Sequence, residues 1–132
     1  MSYEGKWKFE KSENLEKFLV AIGIAADKAK GADAVESVVE NCKMGDTFCI
    51  KTTAGSKVKE QKFKMGEPFE LELPMIGVKD TVVASVSANT LTIKSTTDLA
   101  VTETREVKGD TMVVTVSKPG VDVVAKRYLK RV

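Results

Sequence analysis

Lys108-Gly109-Asp110-Thr111-Met112-Val113-Val114-Thr115-Val116-Ser117-Lys118-Pro119-Gly120 is a β-branched run closed at both ends by turn residues. Valine and threonine carry two heavy atoms on Cβ, which stiffens χ1 and suits a pleated backbone better than a helix. Gly109 with Asp110, and Pro119 with Gly120, supply the freedom or the fixed φ that chain reversals need. The stretch reads as a strand near 111–118 between two tight turns.

The same unit repeats outward along the chain. Turn signals stand at Met44-Gly45-Asp46, Ala54-Gly55-Ser56, Met65-Gly66-Glu67, Ile76-Gly77 and Ala88-Asn89. Between them lie segments rich in Val, Thr, Ile and Phe, with Thr90-Leu91-Thr92-Ile93 a clear case. Strands are predicted near 6–10, 36–43, 47–53, 57–64, 69–74, 79–87, 90–96, 99–107, 111–118 and 121–130. That is ten strands.

One stretch, Ser12 to Ala34, departs from this rhythm and reads as two short helices. Ser12 or Asn14 can cap the first, because either side-chain oxygen can accept from a free amide of the opening turn. Leu15, Phe18, Leu19 and Ile22 then fall at i, i+3, i+4 and i+7, one apolar stripe. Gly23 offers the left-handed residue that ends the helix. Asp27 to Lys30 continues as a second, shorter one before Gly31. Neither is long enough to be stable alone, so both must lean on an apolar surface. Leu15, Phe18 and Ile22 are read as plain packing residues.

Ten strands joined by tight turns predict an all-β, up-and-down sheet that escapes exposed edges by closing into a barrel. About eight strands enclose a filled interior or one small ligand, and ten leave more room. Phe69, Leu71 and Leu73 face one way, with Glu70 and Glu72 opposite. The strands at 79–87 and 90–96 carry small or hydroxyl residues on both faces, which favours a hydrated cavity over a solid core.

At 132 residues the chain fits a single domain, 1–132, with the helical segment near 12–34 as a lid. A net charge of +2 with no run of like charge leaves nucleic acid without an electrostatic footprint. There is no histidine, so the commonest general base and metal ligand are both missing. Nucleophile elbows, Walker loops, dinucleotide-binding turns and zinc spacings are absent too, so no catalytic, metal or cofactor role is expected. Cys42 and Cys49 form no metal or redox spacing and read as free, half-buried thiols in a reducing compartment. The start is charged and shows no signal peptide, and no window approaches the roughly 18 apolar residues that cross a bilayer. A cytoplasmic protein is expected.

Several segments resemble the intracellular lipid-binding family, the fatty-acid-binding proteins, over essentially the whole chain. Gly5-Lys6-Trp7-Lys8-Phe9, Asn14-Leu15-Glu16-Lys17-Phe18-Leu19 and Ile22-Gly23 follow the family's N-terminal signature, except that Leu15 stands where Phe or Tyr is usual. Phe63-Lys64-Met65-Gly66-Glu67-x-Phe69-Glu70 resembles its central motif. Thr104-Arg105-Glu106-Val107 and Val124-Ala125-Lys126-Arg127-Tyr128-Leu129-Lys130 resemble the segments that bear its internal arginines. The resemblance implies a ten-stranded antiparallel barrel of the lipocalin-like (calycin) class, capped by a helix-turn-helix. It also implies a monomeric carrier of one long-chain fatty acid or related lipid, entering past the second helix. The stretch 70–80 departs from the family's polar turn, and Met75 and Ile76 at its tip are candidates for transient membrane contact.

A fatty acid poses two problems. Its tail gains roughly 0.8 kcal/mol per buried methylene, whereas its carboxylate cannot be buried unpaired. An arginine solves the second, since its planar fork of donors matches both oxygens. Arg105 shares a face with Leu99, Val101, Glu103 and Val107, the more apolar side of its strand, so it is predicted to point inward. By resemblance it meets the ligand carboxylate, and Glu103 can pair with it when the site is empty.

The second arginine is ambiguous, because the family pattern is Arg-x-Tyr and this chain reads Lys126-Arg127-Tyr128-Leu129. Alternation with Val121, Val123, Ala125 and Leu129 favours Arg127 inward. The other register keeps Tyr128 in the cavity and replaces the arginine by Lys126. Arg105, Arg127 and Tyr128 are therefore the candidate ligand-binding residues. Ser37 is a weaker candidate, Lys57 and Val58 fall at a turn resembling the entrance, and Trp7 is read as structural core.

Related ligands such as bile acids or retinoids fit the same scaffold. A secreted lipocalin also opens with Gly-x-Trp, but such proteins lack a helix pair after the first strand. A partner-binding barrel, or an isomerase using Glu103 or Arg105, is a more distant reading.

Overall fold

The computed structural model describes residues 4–31, 36–73, 78–97 and 100–132. Ten strands run in chain order: β1 Gly5–Glu13, β2 Val38–Met44, β3 Thr47–Ala54, β4 Lys57–Lys64, β5 Phe69–Leu73, β6 Val78–Ser87, β7 Thr90–Ser95, β8 Thr102–Lys108, β9 Thr111–Ser117 and β10 Ala125–Arg131. Helices α1 (Leu15–Ala21) and α2 (Ala26–Ala29) lie between β1 and β2. All ladders are antiparallel, and the sheet order is β4-β3-β2-β1-β10-β9-β8-β7-β6-β5. β1 and β10 pair, so the sheet wraps round into a nearly closed barrel, as predicted.

Closure is incomplete along one line, because no ladder joins β4 to β5 among the described residues. Aromatic rings bridge this seam instead. Phe63 of β4 stacks on Phe69 of β5 with centroids 4.6 Å apart, and on Phe48 of β3 at 6.0 Å. Elsewhere β4 presents Lys57, Lys59, Glu60, Lys62 and Lys64 to solvent, charges that discourage pairing with a second chain.

The strand limits differ from the sequence reading where the backbone turns. β8 starts at Thr102 and not near 99, because Ala100 adopts a left-handed φ of 53° and its amide bonds Thr97 O at 3.1 Å. β10 starts at Ala125, since Val121 N closes a turn on Lys118 O. β1 runs on to Glu13 through a bulge between Phe9 and Lys11. The extra residue shifts the alternation, so Lys11 pairs with Tyr128 and Ser12 with Arg127.

The helical stripe forms as predicted, but the cap does not. Asn14 occupies the N-cap in a left-handed conformation (φ 60°) and makes no side-chain cap bond, and Ser12 belongs to β1. Gly23 (φ 103°) ends the helix, with Ile24 N bonding Leu19 O at 3.0 Å. Leu15, Phe18, Leu19 and Ala29 are buried against Val101 and Ala125, with Ile22, Val116, Val121 and Val123 packed beside them.

The other end of the barrel holds a second core cluster. Trp7, Phe48, Phe63, Leu91, Val107 and Met112 belong to it, with Trp7 fully buried beneath the Arg131 guanidinium at 4.2 Å. β6 and β7 contribute Val82, Ala84, Leu91 and Ile93, all buried. Apart from the buried Asp80 their inner faces are thus apolar, and the small polar residues that had favoured a hydrated cavity belong mostly to the outer face. On that outer side Cys42 and Cys49 stand directly opposite each other as free thiols. Burial, followed by the contact with Cys42, pushes the Cys49 thiol up to about 11, so it stays neutral at physiological pH.

Ala88 holds a left-handed φ of 52° in the β6–β7 turn, a conformation disfavoured for residues with a Cβ. Ala88→Gly is expected to stabilise the fold by about 0.5–1 kcal/mol, read as a midpoint raised by a few degrees on thermal unfolding. A lowered midpoint would show that the turn carries no strain.

Candidate functional site

A cavity of about 170 Å³ lies between the two clusters. Leu15, Phe18 and Leu19 of α1 and Ile22 just after it line one side, and Val39, Val82, Ile93, Val114 and Leu129 line it from the strands. The helical stripe taken as plain packing is therefore also cavity wall. Into this apolar space project Arg105, Arg127, Glu103, Asp80 and Ser37.

Register explains how the two arginines meet. Val114 of β9 pairs with Arg105 of β8 on one side and Arg127 of β10 on the other. Paired residues share a face, so both guanidinium groups hang from one rung, their backbones about 10 Å apart. Arg105 also pairs with Leu91, and Glu103 with Ile93 and Val116. The strands beside this pair offer only apolar side chains. Arg105 Nε donates to Glu103 Oε2 at 2.9 Å, and the side chains are only 15% and 18% exposed. Arg105 Nη1 is buried without an acceptor among the described residues.

Arg127 resolves the open register. It lines the cavity, donates from Nη2 to Ser37 Oγ at 3.4 Å, and stacks its Cζ 4.7 Å from the Phe9 ring centre. Lys126 is exposed. Tyr128 is not brought to the site: it lies on the opposite face of β10, with Lys11 Nζ 4.7 Å from its ring centre. Ser37 is buried. Lys57 and Val58 are exposed and do not line the cavity. Met75 and Ile76 lie outside the described residues.

Asp80 was missed by the sequence reading. It is buried at the cavity wall and accepts from Thr97 Oγ1 at 2.6 Å. The signal was present, because Asp80 alternates with Val82 and Ala84 on the inward face of β6. Among the described residues no cluster of ligating side chains could hold a metal. No helix there is long and apolar enough to cross a membrane.

Residues 4–128 match the model of the lipocalin / cytosolic fatty-acid binding protein family. The chain belongs to this family. It is 35% identical to the liver fatty acid-binding protein of Bos taurus, over the full length of both chains. Among solved structures it is similar to a Schistosoma mansoni fatty acid binding protein in complex with arachidonic acid (28% identity, TM-score 0.88, 98% of this chain and 96% of that one). The Manduca sexta fatty-acid-binding protein is also similar (29% identity, TM-score 0.86, 98% and 99% covered). Membership accounts for the architecture, a barrel with a helical pair between its first two strands and an apolar chamber inside.

Proposed function

We propose that this protein is a non-enzymatic carrier of a long-chain fatty acid or similar amphipathic lipid, with the carboxylate held by Arg105 and Arg127. The observation that supports this reading is the buried Nη1 of Arg105, without an acceptor among the described residues, inside an apolar chamber. A buried charged donor without a partner is costly, and a ligand oxygen would remove that cost. Arg127 would be the second donor from the same rung, with Ser37 steadying it. In this reading residues 1–132 form one domain, the helical segment near 12–34 is the lid, and the carrier works as a cytoplasmic monomer that touches membranes only in passing.

The test is delipidation followed by displacement of a fluorescent fatty acid analogue. A carrier gives saturable, reversible displacement with no change in the ligand. Absence of displacement, or chemical turnover, would overturn the reading. Arg127→Gln is expected to weaken fatty-acid binding about tenfold or more, the scale of one charge-assisted hydrogen bond. Lys126→Gln, altering a solvated residue, should change it less than twofold. Equal losses in the two variants would place the contact elsewhere.

A further inference from the structure

Glu103 puts a carboxylate inside a largely apolar chamber. Its carboxylate sits 2.9 Å from Arg105 Nε, nearly as buried as the guanidinium itself. Its neighbours across β7 and β9 are Ile93 and Val116, so Arg105 is its counter-charge. Counting the charged residues that line the cavity, Arg105 and Arg127 are matched by Glu103 and Asp80. Asp80 is hydrogen-bonded to Thr97, away from this pair.

A ligand carboxylate that reaches Arg105 must share the guanidinium with Glu103 or displace it. Sharing places a second anion on a guanidinium already paired with Glu103, with Arg127 of the same rung left to offset it, and displacement breaks a largely buried ion pair. A neutral head group with acceptor oxygens meets neither obstacle. It can accept a hydrogen bond from Nη1 while the Glu103–Arg105 bond stays made.

We propose that Glu103 is a specificity-determining residue, an internal counter-ion that lowers the preference of the chamber for anionic over neutral head groups. The occupants it admits are acyl esters such as monoacylglycerols alongside free fatty acids. This rests on the reading that the head group lies at Arg105 and Arg127.

The test measures oleate and 1-monooleoylglycerol against the same fluorescent probe, on delipidated wild-type protein and on Glu103→Gln. The wild type is expected to bind the two within about tenfold of each other. Glu103→Gln is expected to raise the ratio of oleate to monoacylglycerol affinity at least about tenfold, because one like charge near the site is gone. An unchanged ratio would overturn the role of Glu103 while leaving the carrier intact. A wild type that prefers oleate more than a hundredfold would overturn it as well, whether or not the variant folds. A wild type that binds neither lipid would remove the carrier reading, and this proposal with it.

Discussion

Arg105→Gln is expected to weaken binding of a long-chain fatty acid by roughly 10- to 150-fold, the range of one charge-assisted hydrogen bond worth about 1.5–3 kcal/mol. The upper part of that range applies here, because the substitution also leaves Glu103 in the chamber with its counter-charge removed. A neutral analogue of the same chain length should lose far less. Removing one member of a buried pair is also destabilising, by about 3 kcal/mol, since the remaining charge has no substitute among Ile93 and Val116. The double variant Glu103→Gln/Arg105→Gln should recover most of this stability without regaining fatty-acid affinity. Denaturant unfolding and probe displacement on the same samples separate the two effects. If both ligands weaken equally in the single variant, Arg105 supports the fold and not the head group.

The second large effect is expected at the seam. Phe63→Ala removes the middle ring of the Phe48–Phe63–Phe69 stack, and Phe63 is only 4% exposed. Truncating a buried phenylalanine costs about 3–5 kcal/mol through lost burial and the void left behind. For a domain whose total stability is about 5–15 kcal/mol, that is a large share. Loss should concentrate where the stack substitutes for a missing ladder, so amides of β4 and β5 should lose protection from hydrogen exchange ahead of β9 and β10. Phe63→Leu, which restores most of the volume, is expected to recover much of the stability. If Phe63→Ala costs less than about 1 kcal/mol, the ring stack is not what holds the two edges together.

Much of this architecture was legible in the residues themselves. Turn residues at regular spacing marked the reversals, and β-branched composition marked the segments between them. Inward placement of Arg105 followed from alternation along β8. The same logic favoured Arg127 inward, although it left the register open and Tyr128 among the candidates. What escaped was non-local. The left-handed backbone at Ala100 and the bulge after Phe9 depend on how neighbouring strands pair, and no residue type announces them. The Asn14 cap failed because the chain enters α1 with a positive φ, which turns the side chain away from the first amides. Asp80 follows Lys79 close to a turn, a setting in which an acidic residue ordinarily reads as solvated surface. The opposition of both arginines to Val114 required the register of three strands at once.

The unladdered line between β4 and β5 gives the barrel the mechanics of a split ring. Elsewhere around the circumference, widening would strain rows of backbone hydrogen bonds together. At the slit the stacked rings of Phe63 and Phe69 meet, and flat rings can slide at small cost. Compliance is therefore concentrated along one generatrix, and the girth of the wall can change there while every ladder stays intact.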